Sequence, residues 1–244
     1  MSVLSAEQLT GRVRNHVLEL PQSGCILHPD AAAAFLELRG AATQSDIDLV
    51  AVSSFRSFEH QLLIWNDKFH GLRPLLDRDG SVLDASVMTE EQRVGAILLW
   101  SALPGASRHH WGTEIDLIDR TALPPGQRPQ LLAQEYSPAG VFARLGAWLP
   151  QQCERYGFFL PYDRDRGGVQ PEPWHVSFAP VSEAALPALT LEVLAAALSG
   201  VELAGAAVVR RQLHDIHARY VCAVAQPGAV ALAGRKASPA ARPS

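Results

Sequence analysis

The sequence predicts an α+β fold, in which a small antiparallel sheet is flanked by helices and followed by extra C-terminal helices. A compact run with β-branched residues at 47–52 is typical of a core strand. The other candidate strands, 158–159 and 174–178, are short, and helix signals occupy most of the remaining chain. Because strands and helices do not alternate regularly, the order does not suit a doubly wound parallel sheet.

The helices are predicted from their start signals and from apolar spacing. Pro29 suits the first turn of a helix that continues to Leu38. Ser57 can cap a helix in which large apolar residues recur at helical spacing. Thr89 and Gln92 form a capping-box pattern. The predicted helices are 6–18, 29–38, 58–69, 90–101, one from 137 that Pro150 kinks or ends, 182–199 and 202–220; residues 71–88 are expected to be a loop.

The composition is that of one compact domain. The chain has 244 residues, of which 48% are hydrophobic and 19% charged, so it can bury a large core and is not disordered as a whole. We predict a single domain over 1–222, with a core at about 25–180 and C-terminal helices over 182–220. Residues 223–244 are rich in small residues and Pro and are predicted to form a disordered tail.

Charge, cysteine content and hydropathy narrow the possible partners. The net charge of -4 argues against a dedicated nucleic-acid binder. Cys25, Cys153 and Cys222 are far apart and odd in number, so they predict neither a disulfide framework nor a CxxC metal site. No run reaches the roughly 18 apolar residues of a membrane span, and the first residues show no secretory signal. By these criteria the location is cytoplasmic, and the oligomeric state is left open.

Three short segments carry residues suited to metal chemistry. They are Ser53–Ser57, Ser107–Asp116 and Glu172–His175. A lone histidine is usually structural, but two histidines and one aspartate can form a three-ligand zinc site whose fourth position is open for water. A glutamate that is not a ligand can serve as general base, and an arginine can bind a substrate carboxylate or stabilise an oxyanion.

Strand periodicity leaves the ligand geometry open. In one continuous strand His110 would share a face with Asp116, and His109 would not. His109 and Asp116 converge only if the backbone breaks this alternation, for which Gly112 is the obvious place. Glu172 and His175 lie three apart, so they also need an irregular backbone to face one ion, and the intervening proline favours one.

The motifs resemble those of a known peptidase family. The pattern Ser107-x-His109-x-x-Gly112-x-x-x-Asp116 is followed by Glu172-x-x-His175 and preceded by Phe55-Arg56-Ser57 with Gln61. It is similar to the zinc D-alanyl-D-alanine carboxypeptidases of the VanY type, whose fold is shared by VanX-type dipeptidases and, more distantly, by the hedgehog signalling domain. The resemblance covers roughly residues 25–180. That family often has Ala two residues before the aspartate, where this chain has Glu114.

The resemblance implies roles for individual residues. His109, Asp116 and His175 would bind one Zn²⁺ per chain. Glu172 would be the catalytic base, and Arg56 would bind or polarise the substrate near the scissile bond. Ser107 and Gln61 would also lie near the substrate. His110, His60 and His70 are expected to be structural or on the surface, and Trp111 and Trp174 to pack against the site.

The implied activity is removal of the C-terminal D-Ala from peptidoglycan stem peptides or their fragments, by a zinc-bound water that Glu172 deprotonates. Alternatives with the same fold are an L,D-carboxypeptidase, a D,D-dipeptidase or a peptidoglycan endopeptidase. A further alternative is a zinc-stabilised binding module without turnover, against which the presence of both Glu172 and Arg56 speaks. The family analogy implies a periplasmic location, in conflict with the lack of a signal.

Overall fold

The structure is a computed structural model that describes residues 3–21 and 23–233. The α-helices are α1 Ala6–Leu9, α2 Pro29–Thr43, α3 Phe58–Phe69, α4 Glu90–Trp100, α5 Ala143–Gln152, α6 Ala179–Ala188, α7 Leu191–Ala197, α8 Ala206–Ile216 and α9 Ala229–Ala233. The strands are β1 Leu18–Leu20, β2 Cys25–Leu27, β3 Leu49–Ser53, β4 Leu75–Leu76, β5 Val82–Leu83, β6 Glu114–Asp119, β7 Phe158–Phe159 and β8 His175–Phe178. This is the predicted mixture of helices and small antiparallel sheets.

The main sheet has four antiparallel strands in the order β3-β6-β8-β7. All six side chains of the inner strand β6 are buried, so both of its faces are covered. The pairing register places Asp116 opposite Ser53 on one side and opposite His175 on the other. The strands β3, β6 and β8 therefore place Ser53, Asp116 and His175, one residue from each of the three segments, in one row across the sheet. The pairs β1–β2 and β4–β5 form separate two-stranded sheets.

Helices pack around this sheet through a continuous apolar core. Trp65, Trp111, Phe35, Phe142 and Phe158 are among the largest fully buried side chains. The predicted helix 58–69 is confirmed residue for residue, and its cap is the predicted one, because the Ser57 side chain accepts from the His60 backbone. The Thr89 capping box is also confirmed.

Other predicted helices differ in extent. The first ends at Leu9 instead of residue 18, because the backbone of Gly11 turns to φ +73° and its missing side chain makes room for the His110 ring. The helix expected from residue 137 begins at Ala143, and Pro150 lies within it without ending it.

The C-terminal region holds shorter helices than predicted. The expected helix 182–199 is two helices, α6 and α7, and the Thr190 side chain caps the second. The expected helix 202–220 is α8 followed by a π-helical turn over residues 217–222. Trp65 donates to the Ala204 carbonyl at 3.0 Å, so this region is docked on α3. Within 71–88 the loop also contains β4, β5 and a 3₁₀ turn.

Residues 229–233, which belong to the predicted tail, form α9, in which Ala231 is fully buried. The rest of that tail, 234–244, lies outside the described residues. Within the described part of the chain, no single helix is long and apolar enough to cross a membrane. The pair α6 and α7, bent by 82°, meets the length and composition criteria together.

Candidate metal centre

The structure brings three predicted ligands together. One potential ligand atom from each of His109, Asp116 and His175 lies within 4.8 Å of the other two. Asp116 and His175 are direct neighbours across β6 and β8. The three side chains are buried, which gives the group a low-dielectric environment in which charge interactions are strong.

The backbone breaks its alternation at Gly112, the position that the sequence indicated. Residues 108–111 form a 3₁₀ turn, and Gly112 ends it in the left-handed region with φ 69°. A side chain at Gly112 would collide with Val17 and with the His28 backbone nitrogen. The turn lets His109 reach Asp116, with 3.4 Å between Nε2 and Oδ2.

Hydrogen bonds fix which nitrogen of each histidine faces the centre. His109 Nδ1 lies 2.7 Å from the Ser54 carbonyl, which can only accept, so Nδ1 carries the proton and Nε2 is free to bind a cation. His175 has the opposite arrangement. Its Nδ1 lies 3.1 Å from Asp116 Oδ1, while Nε2 lies 2.7 Å from a buried carboxylate, that of Glu114.

The charges of the centre suit a divalent cation. Asp116 Oδ1 is buried and, among the described residues, has no hydrogen bond of good geometry. Such an orphaned acceptor is costly unless something binds it. Burial lowers the pKa of His175, but the carboxylates of Asp116, Glu114 and Glu172 outweigh burial and raise it well above its usual value. Two imidazole nitrogens and one carboxylate are a ligand set that Zn²⁺ accepts.

Glu172 lies at the edge of the ligand group. Its Oε2 is 3.2 Å from His175 Nδ1, and its side chain is nearly buried. A turn closed by the His175 amide and the Glu172 carbonyl at 3.1 Å holds the two residues together. The structure therefore has the irregular backbone that the spacing of these two residues required.

Arg56 is clamped beside the centre. Its guanidinium donates to Gln61 Oε1 at 2.6 Å and to Ser53 Oγ at 3.0 Å. Its backbone amide donates to the His109 carbonyl at 3.2 Å. Burial lowers the pKa of Arg56, and the negative charges of Asp116 and Glu172 oppose that effect. The Arg56 guanidinium is therefore held within electrostatic reach of the Asp116 and Glu172 carboxylates.

The Gln61 amide has a protein partner at each end. Its side chain is fully buried, and its amide donates to the Ala102 carbonyl at 2.7 Å while its oxygen accepts from Arg56. Gln61 therefore positions Arg56. Ser107 is also buried and opens the 3₁₀ turn that carries His109, without a side-chain capping bond.

Two buried residues near the centre, Glu114 and Arg108, are not among the predicted site residues. Glu114 lies two positions before Asp116 on β6, so the two side chains share a face, and strand alternation could have identified it. Arg108 lies 3.4 Å from Glu114 Oε1. This partner comes from the 3₁₀ turn, and no sequence spacing predicts the contact.

Lys68 adds a positive charge on the α3 side. It lies two helical turns after Gln61, and its Nζ donates to Ser101 Oγ at 2.7 Å. Burial lowers the pKa of Lys68 to about 8, and the charge of Glu172 acts against that shift.

His110 is structural, as expected, and links Arg56 to the loop before the motif. Its Nδ1 lies 2.6 Å from the Arg56 carbonyl, and its Nε2 accepts from the Gly105 amide at 3.1 Å. Both bonds require a neutral ring, and burial lowers the pKa of His110 to about 3. His60 and His70 are exposed, and Trp111 and Trp174 are buried in the core, also as expected.

A buried His-Asp-His group with an adjacent glutamate and arginine is an arrangement that metal-dependent hydrolases use, and on this α+β scaffold it could hold a metal ion. The family model described as "VanY: D-alanyl-D-alanine carboxypeptidase" matches residues 24–181. The chain belongs to this family, and it is a peptidase by family. The matched residues include all three motifs.

Individual proteins are also similar to this chain. An uncharacterized protein of Haemophilus influenzae is 36% identical over 121 residues, which are 49% of this chain and 92% of that protein. A solved structure of VanYB in complex with D-alanine-D-alanine superposes with a TM-score of 0.49 at 18% identity, covering 80% of this chain and 87% of that one. A VanY D,D-pentapeptidase variant in complex with Zn(II) gives 0.49 at 20% identity, covering 75% and 89%.

Proposed function

We propose that this protein is a zinc-dependent carboxypeptidase that removes the C-terminal D-Ala from peptidoglycan stem peptides or their fragments. The observation that carries the proposal is the convergence of one potential ligand atom each from His109, Asp116 and His175 within 4.8 Å of one another, with Glu172 beside them. A structural zinc site uses four protein ligands, whereas three ligands with an adjacent base are the catalytic arrangement.

Each residue has a distinct part in this proposal. His109, Asp116 and His175 hold the ion, which supplies Lewis acidity and lowers the pKa of a coordinated water. Glu172 accepts a proton at its carboxylate and returns it to the leaving amine. Arg56 stabilises negative charge on the carbonyl oxygen or binds the terminal carboxylate, as a guanidinium does well.

The preference for a D-alanyl end rests on family membership. Relatives with this fold include VanYB, solved in complex with D-alanine-D-alanine, and an LD-carboxypeptidase named LdcB. The peptide bond that is cleaved therefore has to be measured. We further propose that residues 1–222 act as one catalytic domain.

The test is release of D-Ala from a synthetic stem pentapeptide, followed by mass spectrometry. Zinc-loaded protein should release one D-Ala per peptide, and a chelator should abolish the release until zinc is returned. A stem tetrapeptide and a cross-linked peptide in parallel reactions separate D,D-carboxypeptidase from L,D-carboxypeptidase and endopeptidase activity, and release of the D-Ala-D-Ala dipeptide would indicate a dipeptidase.

Glu172→Gln should reduce kcat by about 10²–10⁴-fold with zinc still bound, because the general base is lost. Glu202→Gln is the matched control, since Glu202 is exposed and distant from the motifs in sequence. Zinc-loaded, folded protein that cleaves none of these peptides would contradict the proposal and favour the non-catalytic binding module.

A further inference from the structure

Glu114 is a fully buried carboxylate whose two oxygens have different partners. Oε2 lies 2.7 Å from His175 Nε2. Oε1 accepts from Ser177 Oγ at 2.6 Å and from Thr113 Oγ1 at 2.9 Å, and lies 3.4 Å from Arg108 Nη2. One oxygen is thus reserved for the histidine, and the other is held by the surrounding protein.

The strand register explains why Glu114 reaches His175. Glu114 pairs with Ser177, and Asp116 pairs with His175, on the adjacent strands β6 and β8. Residues two apart on a strand share a face, so the two carboxylates lie side by side, each within reach of the imidazole. The His175 ring therefore has a carboxylate oxygen near each of its nitrogens.

Arg108 provides the counter-charge that makes a buried carboxylate tolerable. Its side chain is 3% exposed, and its Nη2 also donates to Ser177 Oγ at 2.6 Å. A carboxylate that is paired in this way with a guanidinium can only accept hydrogen bonds, so the hydrogen between Glu114 and His175 is carried by Nε2.

We propose that Glu114, held in place by Arg108 and Ser177, is the positioning residue for His175. By accepting the proton of Nε2, it fixes the tautomer and the ring orientation that direct the Nδ1 lone pair at the metal. Such carboxylate–histidine–metal contacts make the histidine a more basic ligand. The inference rests on the proposed function only through the metal site. It concerns a position where the family often has Ala.

The decisive measurement is the zinc dissociation constant, obtained by competition with a chromophoric chelator. Glu114→Gln should weaken zinc binding by about 10–100-fold, as removal of such a contact does elsewhere. The matched control is Asp119→Asn. Asp119 is a buried carboxylate on the same strand, and it accepts from the Asp48 amide and from Thr121. This control should bind zinc as tightly as the wild type.

A second variant separates loss of the His175 contact from loss of the fold. It is needed because Glu114→Gln alone leaves the Arg108 charge buried without its counter-charge. Glu114→Gln combined with Arg108→Met removes both charges and should fold, yet still bind zinc at least about tenfold more weakly than the wild type. In ¹⁵N spectra of the zinc-loaded wild type, the His175 Nε2–H signal should report a strong hydrogen bond that both variants lose.

Two outcomes would overturn the inference. The first is that the folded double variant binds zinc within twofold of the wild type. The second is an unchanged Nε2–H signal in either variant. In both of these outcomes the wild type still binds zinc, so the proposed function stands. If the wild type itself bound no zinc at this site, the proposed function would fail too, and zinc binding by the wild type therefore distinguishes the two failures.

Discussion

His110 offers the sharpest test of how this site is held together. His110→Ala removes a fully buried imidazole that bonds to the Arg56 carbonyl at one nitrogen and to the Gly105 amide at the other. Each buried backbone group left without a partner costs about 1–3 kcal/mol. The cavity and lost contacts add to this. We expect the free energy of unfolding to fall by about 3–5 kcal/mol.

The assay is urea unfolding of the metal-free protein, followed by circular dichroism. His110→Gln should lie between the wild type and His110→Ala, because an amide can keep one of the two bonds. His60→Ala is the control, since His60 is exposed on α3, and its effect should stay within about 0.5 kcal/mol. A loss below 1 kcal/mol for His110→Ala would refute this account of the Arg56 clamp.

The remaining predictions concern the substrate cation, the backbone break and the buried amine. Arg56→Ala should lower kcat/KM by about 10²–10³-fold, because one donor to the developing oxyanion is lost, while zinc affinity stays within a few fold; an unchanged kcat/KM would exclude Arg56 from catalysis. Gly112→Ala should lower the melting temperature and weaken zinc binding in chelator competition, because the added carbon collides with Val17. A wild-type melting temperature together with wild-type zinc affinity would contradict this close packing of Gly112 against Val17. Lys68 has a folded pKa near 8 against about 10.5 unfolded, so the unfolded chain binds more protons between these values and stability rises with pH there. The free energy of unfolding of Lys68→Met at pH 7 should therefore exceed that of the wild type by about 1–2 kcal/mol after allowing for partial exposure, and this difference should vanish above about pH 10.5. If denaturant titrations showed no pH dependence of this difference, burial of the charged Lys68 amine would be excluded as its cause.

Local sequence patterns predicted the elements whose signals are strong over short distances. The helix 58–69 has apolar residues at helical spacing and a serine cap, and the structure agrees in every residue. The first helix was predicted to be too long, because the chain turns at Gly11 to accommodate the ring of His110, which lies about a hundred residues further along the sequence. Such a close approach leaves no trace in propensity or periodicity.

The motifs likewise fixed the candidate ligands, and they did so together with the family resemblance. Spacing alone left both His109 and His110 open as partners of Asp116. The resemblance implied His109, which converges with Asp116 only if the strand breaks at Gly112. Gln61 could also be named as a site residue from the sequence, but its hydrogen-bond partners could not be predicted. Only the folded chain shows that both ends of its amide are already bonded.

The sequence by itself determined the α+β class, the family motifs and the residue types that can bind a metal, because these depend on local spacing and side-chain chemistry. The tertiary structure decided which nitrogen of each histidine faces the centre, since the partners of those rings come from distant strands. It also decided that Glu114 and Arg108 support His175. That arrangement depends on the register between β6 and β8, and register is a property of paired strands that neither strand's sequence specifies alone.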